Sequence, residues 1–378
     1  MTPFQLVTKI STFDTFSEFA TTFNLNEHDL IITQSFIIKP FMHDLNLPCH
    51  FIMQDHYGTG EPSDEMVNHI ISDLQHIDYD RIIGIGGGTV IDIAKILALK
   101  DVTNSTLAFE RKIPIVKGSQ LILIPTTCGT GSEVTNIAIA EIKSKAIKMG
   151  LADDALFADH AVLIPELLNE LPFKPFVHSA IDALIHAMES YLSPKANAFT
   201  KLFSTKAIEM ILSVFNGIVT EGEAYRFKHH KKMLIASNFA GIAFGNAGVG
   251  AVHALSYPLG GKYHVPHGEA NYQFLTEVFK LYNKKSPKGA IKKLNALLSK
   301  SLYLEYDAKD VNPRLIYQNL DDLLSKMTKK TKLRNYGMEP DEIDVFTEIV
   351  IQTQQRLLAN NYVTLTIDEI RGIYQSLY

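Results

Sequence analysis

Three histidines in a glycine-rich, apolar stretch are the residues of this sequence best suited to metal chemistry. His253, His264 and His267 all lie in the segment 245–267, which also contains five glycines and few charged residues. Imidazole is the commonest metal ligand in proteins, and glycine lets a backbone turn sharply or approach a ligand closely. We interpret this segment as a buried loop that forms half of an active site.

A carboxylate and an imidazole four residues apart supply a second half. Asp182 and His186 lie in a helical stretch rich in alanine and leucine, so they project from one helix face. This spacing is more often an ordinary helix pair, but polar groups on so apolar a helix need partners. With His253 and His267 they would offer one carboxylate and three imidazoles, a set that favours iron(II) or zinc over calcium or magnesium. Glu189, later in this helix, either supports a ligand or lies in a solvated turn, and the solvated turn is slightly favoured.

A run of glycines follows a strand predicted over residues 81–85. Gly86, Gly87, Gly88 and Thr89 come next, and a helix is predicted from there. Free backbone N–H groups at a helix N-terminus favour a diphosphate. The alternative is a tight turn that binds nothing. The dinucleotide fingerprint requires a third glycine where Thr89 stands, so the spacing alone is a moderate phosphate signal.

Hydroxyl groups follow another predicted strand, at residues 121–124. They belong to Thr126, Thr127, Thr130 and Ser132, and they could bind a phosphate or ribose or could bond within their own turn. Cys128, in the same loop, is interpreted as a small half-buried thiol rather than as a nucleophile.

The elements that position these residues change character along the chain. Buried strands alternate with amphipathic helices up to about Pro165, and long helical periods follow it. This order predicts an N-terminal domain with a parallel α/β sheet and a C-terminal all-helical domain. The strands are predicted at 29–33, 49–53, 81–85 and 121–124, and the main helices at 63–75, 176–192, 201–219, 231–244, 317–328 and 341–360.

Composition excludes several classes of protein. The 378 residues are 46% apolar and 20% charged, with a net charge of -5, which gives no reason to expect nucleic acid or a membrane surface as partner. Two cysteines indicate a reducing compartment rather than a disulfide framework. Residues 1–10 lack a signal peptide's apolar region, and no apolar run approaches about 20 residues. We therefore expect a cytoplasmic protein.

Taken together, these segments resemble the iron-containing (group III) alcohol dehydrogenase family. The matching segments, in the family's order, are 86–95, 125–133, 182–189 and 253–268. The resemblance implies a Rossmann-like NAD(P)-binding domain over residues 1–168 and an all-helical metal-binding domain over 169–378, an architecture like that of dehydroquinate synthase.

The resemblance also implies roles for individual residues. The metal, iron(II) or alternatively zinc, would be held by Asp182, His186, His253 and His267. The diphosphate would lie on Gly86, Gly87, Gly88 and Thr89, with Thr126 and Thr127 reaching the nucleotide. Asp92 and Lys95 stand at family positions on the following helix, and Lys148 is a further candidate for cofactor binding.

The segments 251–272, 334–338 and 354–362 are most similar to family members that oxidise 4-hydroxybutyrate to succinate semialdehyde. This implies NAD-linked, reversible hydride transfer on a small hydroxy acid or aldehyde. The substrate carboxylate would need a cation or donor, for which Lys262, His264, Lys148 and Arg356 are candidates. Relatives are usually dimers or larger homo-oligomers, and we expect the same here.

Two positions depart from the family pattern. Tyr257 stands where many members carry a second histidine that is thought to relay the alcohol proton, so Tyr257 and His264 are both candidates for proton transfer. Gln34 stands where the family often has an acidic residue after the second strand. Because that acid favours the free ribose 2′-hydroxyl, we expect NAD to be used with a weaker rejection of NADP.

Three other functions remain open. The chain could oxidise another small primary alcohol or a diol. It could be a metal-dependent lyase or cyclase of the dehydroquinate synthase type, which would regenerate its cofactor within each turnover. It could also be a nucleotide-binding scaffold with a structural metal, although structural metal sites are usually closed by protein ligands.

Overall fold

The computed structural model describes residues 3–145, 147–304 and 312–378, and the chain divides into two compact units. One unit is Leu6–Leu171, and the other is Pro172–Tyr378 together with residues 3–5. The assignment of cofactor binding to residues 1–168 and of metal binding to residues 169–378 stays a prediction.

The first unit is organised by a parallel sheet, in which six strands are described in the order β1-β8-β5-β4-β2-β3. All five residues of the second strand are buried, which is typical of parallel sheets covered on both faces. An antiparallel pair, β6 and β7, stands apart from it. The strands are β1 Lys9–Thr12, β2 Asp29–Thr33, β3 His50–Met53, β4 Arg81–Gly86, β5 Gln120–Pro125, β6 Ile137–Ile142, β7 Ile147–Ala152 and β8 His160–Leu163.

Helices cover both faces of this sheet. Successive β2 residues enter two different apolar cores: Leu30 and Ile32 pack in one, and Ile31 packs in the other, as the two-residue period of a strand requires. The helix α3 begins as predicted, because the Ser63 hydroxyl accepts a hydrogen bond of 3.2 Å from the Met66 amide. The helices are α1 Phe16–Thr22, α2 Ser35–Phe41, α3 Asp64–Asp73, α4 Gly88–Leu97 and α5 Ser105–Phe109.

The second unit is helical throughout its described part. Its central helix, α6, has 20 residues and is buried at every position from Phe176 to Leu192 except Ser179. The predicted fold class, α/β plus all-α, is confirmed. The helices are α6 Phe173–Leu192, α7 Ala198–Glu221, α8 His230–Ala247, α9 Ala251–Tyr263, α10 His267–Lys285, α11 Ala290–Ser301, α12 Pro313–Ser325, α13 Glu342–Thr353, α14 Gln355–Leu358 and α15 Ile367–Leu377.

The helix α7 is long enough and apolar enough to cross a membrane, with a mean hydropathy of 1.4 in its most apolar window. Half of that window is buried inside the protein, and α7 packs against α6 and α8. Core helices of soluble proteins have the same composition, so this helix is weak evidence for a membrane span.

The histidine-rich stretch was predicted as a loop, and that prediction is wrong. Residues Ala251–Tyr263 form α9 and His267 begins α10, so that residues 264–266 alone connect them. Glycine and proline normally weaken a helix, and Pro258 lies inside this one. Tertiary packing outweighs that local preference, because most of α9 is buried.

Candidate functional site

The helix α6 presents Asp182 and His186 on successive turns of one face. Both are buried, with exposed fractions of 2% and 5%. A carboxylate oxygen of Asp182 lies 4.0 Å from His186 Nδ1. Burial raises the pKa of Asp182, but the three imidazoles around it and an amide donor from Asn271 together hold that pKa below its ordinary value. The carboxylate is therefore available as an anionic ligand.

The helices α9 and α10 bring the other two histidines to the same carboxylate. His253 Nε2 and His267 Nε2 each lie 3.7 Å from Asp182 Oδ1. The close approach of α10 to α6 depends on Gly268, because a Cβ there would lie 2.3 Å from the His178 carbonyl oxygen. A side chain at this position would therefore push His267 away from Asp182.

These four residues can offer one ligand atom each within 4.8 Å of one another. Tetrahedral ligation at about 2.1 Å would separate such atoms by roughly 3.4 Å, close to the 3.7 Å separations observed here. His253 Nε2 is buried and has no hydrogen-bond partner among the described residues. A buried nitrogen left without a partner is costly unless a ligand satisfies it, so the donor set fits a divalent transition metal.

The orientation of His253 is set by Glu189, for which the sequence left open a solvated turn or support of a metal ligand. The solvated turn, which was slightly favoured, is wrong, because Glu189 is 3% exposed. Its Oε2 lies 2.6 Å from His253 Nδ1, and its Oε1 accepts a 2.7 Å hydrogen bond from the Val252 amide. Because a carboxylate can only accept, Nδ1 carries the proton and Nε2 presents its lone pair. The signal was available, since Glu189 lies seven residues after Asp182 on the same apolar helix.

A residue that sequence reasoning missed is Asn271 on α10. Its amide Nδ2 donates to Asp182 Oδ1 over 2.7 Å and lies 3.1 Å from His267 Nε2. The Ser256 hydroxyl donates to the Asn271 carbonyl oxygen, which fixes the direction of the amide. Asn271 is fully buried, so it holds the carboxylate in place beside the histidines.

The glycine turn of the first unit lies where β4 ends and α4 begins. Gly86 ends the strand and Gly87 caps the helix without a side-chain hydrogen bond. A Cβ on Gly86 would lie 2.6 Å from the Val90 side chain, so glycine is required for this tight turn. The first N–H groups of α4 thus have no side-chain cap, which suits an anion.

The loop after β5 packs against this turn. The Thr126 amide donates to the Gly86 carbonyl over 3.0 Å. A Cβ on Gly87 would lie 3.5 Å from the Thr127 side chain, and one on Gly88 would lie 3.0 Å from that of Thr130. The two loops predicted to bind the nucleotide are therefore neighbours. The Thr89 hydroxyl donates to the Gly60 carbonyl over 2.9 Å, so it also holds a third loop.

Asp92 and Lys95 tie the Thr130–Ser132 end of that loop to α4. Asp92 accepts hydrogen bonds from the Ser132 hydroxyl at 2.7 Å and from the Ile139 amide at 3.0 Å. Lys95 Nζ, fully buried, donates to Ser132 at 2.6 Å and to the Ile137 carbonyl at 2.7 Å. Burial lowers the pKa of Lys95 to about 8, against the attraction of Asp92 and Glu133. This geometry supports a role in shaping the loop.

Family profiles match both units of the chain. The profile for "Iron-containing alcohol dehydrogenase" matches residues 6–165, and that for "Fe-containing alcohol dehydrogenase family, C-terminal" matches residues 176–378. The chain belongs to the iron-containing alcohol dehydrogenase family. The predictions of this family and of an oxidoreductase are confirmed.

Two curated relatives illustrate the range of the family. The chain is 50% identical to the 4-hydroxybutyrate dehydrogenase of Clostridium kluyveri over 374 residues, which cover 99% of each chain. It is 31% identical to the long-chain-alcohol dehydrogenase 1 of Geobacillus thermodenitrificans, over 93% of this chain and 90% of that one.

Solved structures share the fold at lower identity. The sulfoacetaldehyde reductase of Bifidobacterium kashiwanohense, solved in complex with NAD+, has a TM-score of 0.84 at 20% identity and covers 99% of this chain and 98% of its own. A 1,3-propanediol oxidoreductase has a TM-score of 0.83 at 20% identity, with coverages of 99% and 100%.

The two candidates for proton transfer in this family member have different surroundings. The Tyr257 ring is half-buried, and its centroid lies 6.0 Å from that of His267. His264 is exposed and ends α9 with a φ of 53°, in the left-handed region. Tyr257 therefore lies beside a candidate metal ligand, whereas His264 is exposed at the end of α9.

Two of the side chains predicted as candidates for binding the substrate carboxylate already form ion pairs within the protein. Lys262 forms an ion pair with Glu342, and Lys148 forms one with Glu61. Arg356 is exposed on α14. Gln34 directly follows β2, and its Nε2 donates to Gln54 Oε1 over 3.1 Å.

Proposed function

We propose that this protein is a metal-dependent, NAD-linked dehydrogenase that reversibly oxidises 4-hydroxybutyrate to succinate semialdehyde. The observation that carries the proposal is the 50% identity, over 99% of both chains, to a 4-hydroxybutyrate dehydrogenase. Similarity that extends over both units includes the residues that would hold the cofactor and those that would hold the metal.

Asp182, His186, His253 and His267 would hold the metal. Support comes from their mutual distances, from the burial of Asp182, His186 and His253, and from the unpartnered nitrogen of His253. When bound, a divalent metal supplies Lewis-acid chemistry that lowers the pKa of an alcohol hydroxyl, and NAD accepts the hydride. Asn271 and Glu189 would keep the carboxylate and one imidazole in the orientation that this chemistry needs.

The glycine turn and the threonine loop would hold the nucleotide. The uncapped N-terminus of α4 offers N–H groups to the diphosphate of NAD. Thr126 and Thr127 lie against the glycine turn and would complete its binding surface. Asp92 would act on the cofactor through the loop that it positions, because its carboxylate accepts hydrogen bonds from Ser132 and Ile139.

Tyr257 is the better candidate for a proton path, because its ring lies beside that of His267. A phenol hydroxyl can both donate and accept a hydrogen bond, as a proton path requires. The substrate carboxylate would be met by His264 or Arg356, since Lys262 and Lys148 are engaged by Glu342 and Glu61. We further expect the protein to act in the cytoplasm as a homodimer or a larger homo-oligomer.

An anaerobic assay of NAD reduction tests this function. Purified protein is supplied with iron(II) or zinc and with either 4-hydroxybutyrate or 1-butanol, and NADH is followed by absorbance. We expect 4-hydroxybutyrate to give a much larger kcat/KM, because 1-butanol lacks the carboxylate. Comparable values for both substrates would remove the carboxylate-recognition part of the proposal.

A dehydrogenase for another primary alcohol is the second candidate. It is favoured by the 31% identity to a long-chain-alcohol dehydrogenase. The same assay with longer alcohols and diols separates the two. Steady accumulation of NADH also excludes a lyase or cyclase, which would return its cofactor to the starting state in each turnover.

A further inference from the structure

The carboxyl ends of β2 and β4 lie side by side at the point where the strand order of the sheet reverses. From β2 the chain proceeds to β3 on one side, and β4 then lies on the other side of β2, followed by β5. Ligands of open parallel sheets bind at such a switch point. The glycine turn stands at the end of β4, so the residues at the end of β2 are the expected neighbours of the adenosine ribose.

The residue in that place is an amide, Gln34, whose direction is fixed by its neighbours. Gln54 is buried, and its Nε2 donates to the Gly58 carbonyl over 2.9 Å and lies 3.2 Å from the Met66 sulfur. Gln54 Oε1 must therefore be the atom that faces Gln34, and it accepts from Gln34 Nε2. An amide held in this way carries no charge with which to reject a phosphate.

A carboxylate reaches the same place from the adjacent strand. Asp55 lies just beyond the end of β3, and its Oδ1 accepts a 2.9 Å hydrogen bond from the amide of Ser35, the residue after Gln34. Burial raises the pKa of Asp55, but hydrogen bonds from Ser35 outweigh it and lower that pKa. A carboxylate has about four acceptor sites, so capacity remains for a ligand hydroxyl.

We propose that Asp55 accepts the adenosine ribose 2′-hydroxyl of NAD and repels the 2′-phosphate of NADP. The inference rests on the proposed NAD-linked function and specifies how that function selects its cofactor. Asp55, which follows β3, would thus supply the negative charge that Gln34 lacks at the end of β2. Rejection of NADP would then be strong, contrary to what Gln34 suggests in the sequence.

The test combines a change in the protein with a change in the ligand. Dissociation constants for NAD, for its adenosine 2′-deoxy analogue and for NADP are measured by calorimetry with the unchanged protein and with Asp55→Asn. Asparagine keeps an oxygen for the Ser35 amide, so α2 can still begin in the same way. We expect the unchanged protein to bind NAD ten- to a hundredfold more tightly than the deoxy analogue, as for a hydrogen bond to a charged group, and this ratio to approach one in Asp55→Asn.

NADP binding should change in the opposite direction. A carboxylate a few ångströms from a phosphate costs about tenfold or more in affinity, so Asp55→Asn should bind NADP more tightly by that factor. Asp44→Asn is the matched control, because it removes the same charge from the same unit at a side chain that is 98% exposed. It should alter neither ratio.

Two results would overturn the inference while leaving the proposed function intact. One is an unchanged preference for NAD over its deoxy analogue in Asp55→Asn. The other is loss of that preference in Gln34→Ala with Asp55 unchanged, which would mean that the Gln34 amide binds the ribose 2′-hydroxyl. If the unchanged protein binds neither dinucleotide, the proposed function fails and this inference fails with it.

Discussion

The proposed nucleotide-binding edge and the proposed metal centre are built from different parts of the chain. At the edge, the binding groups would be backbone amides and small hydroxyls of loops that follow neighbouring strands, β4 and β5. At the metal centre, the binding groups would be long side chains from three helices, α6, α9 and α10. The edge therefore depends on backbone geometry, whereas the centre depends on how each side chain is oriented by a further residue.

This difference predicts where each region is vulnerable. A backbone site loses function when its turn or its supporting loop is deformed. A side-chain site loses function when a ligand atom is removed, and is weakened when a ligand loses the partner that orients it. The variants below separate these cases, beginning with the largest expected effect.

Removing a ligand should abolish metal binding. His267→Ala or Asp182→Ala deletes one of four donors, and we expect purified protein to lose its bound metal and activity to fall on the order of a thousandfold or more. Metal content is measured by elemental analysis and folding by circular dichroism. His69→Ala, which alters an exposed histidine on α3, should keep its metal. A metal-free His267→Ala protein with full activity would contradict the assignment.

Lys95 lies at the proposed nucleotide-binding edge, and removing it should change how the free energy of unfolding depends on pH. The folded protein releases the Lys95 proton near pH 8, whereas its ordinary pKa is 10.5. Between these values the unfolded state binds more protons, so the free energy of unfolding rises with pH. The rise is roughly 3 kcal/mol across the window.

Comparison with Lys95→Met isolates this contribution. Chemical denaturation at several values between pH 8 and 10.5 should show the unchanged protein gaining stability relative to the variant. NAD affinity should also fall in the variant, because Ser132 loses a donor that holds its loop. Parallel pH curves for the two proteins would show that the buried amine does not titrate as described.

Glu189→Gln should have the smallest of these effects. Glutamine has the same size as glutamate, but its neutral amide makes His253 less basic than the carboxylate does. We therefore expect metal affinity to fall ten- to a hundredfold. Competition with a chelator measures this without reference to activity, and Glu189→Asp should recover part of the loss. An affinity equal to that of the unchanged protein would reduce Glu189 to a helix-packing role.

The sequence was informative where the chemistry is local. The glycine turn at residues 86–89 could be located because a strand, a turn and a helix follow one another directly. The four candidate ligands could be grouped from the spacing of Asp182 and His186 and from the family resemblance. The first inference uses neighbouring residues alone, whereas the second needs the resemblance to join His253 and His267 to Asp182.

Other features could not be predicted because they depend on packing between distant segments. Proline and glycines in 251–263 indicated a loop, yet burial makes this segment a helix. Glu189 and Asn271 acquire their roles only when α9 and α10 reach α6. Asp55 and Ser35 lie 20 residues apart in the sequence, and it is the parallel pairing of β2 with β3 that brings them together.

Titration of the metal-free protein with iron(II) tests the central claim most directly. Chelator-treated protein is titrated under argon while NADH formation from 4-hydroxybutyrate and NAD is measured. We predict negligible activity without metal and a linear rise to a plateau at one metal ion per chain. Full activity of the metal-free protein, or a plateau unrelated to that stoichiometry, would contradict the account.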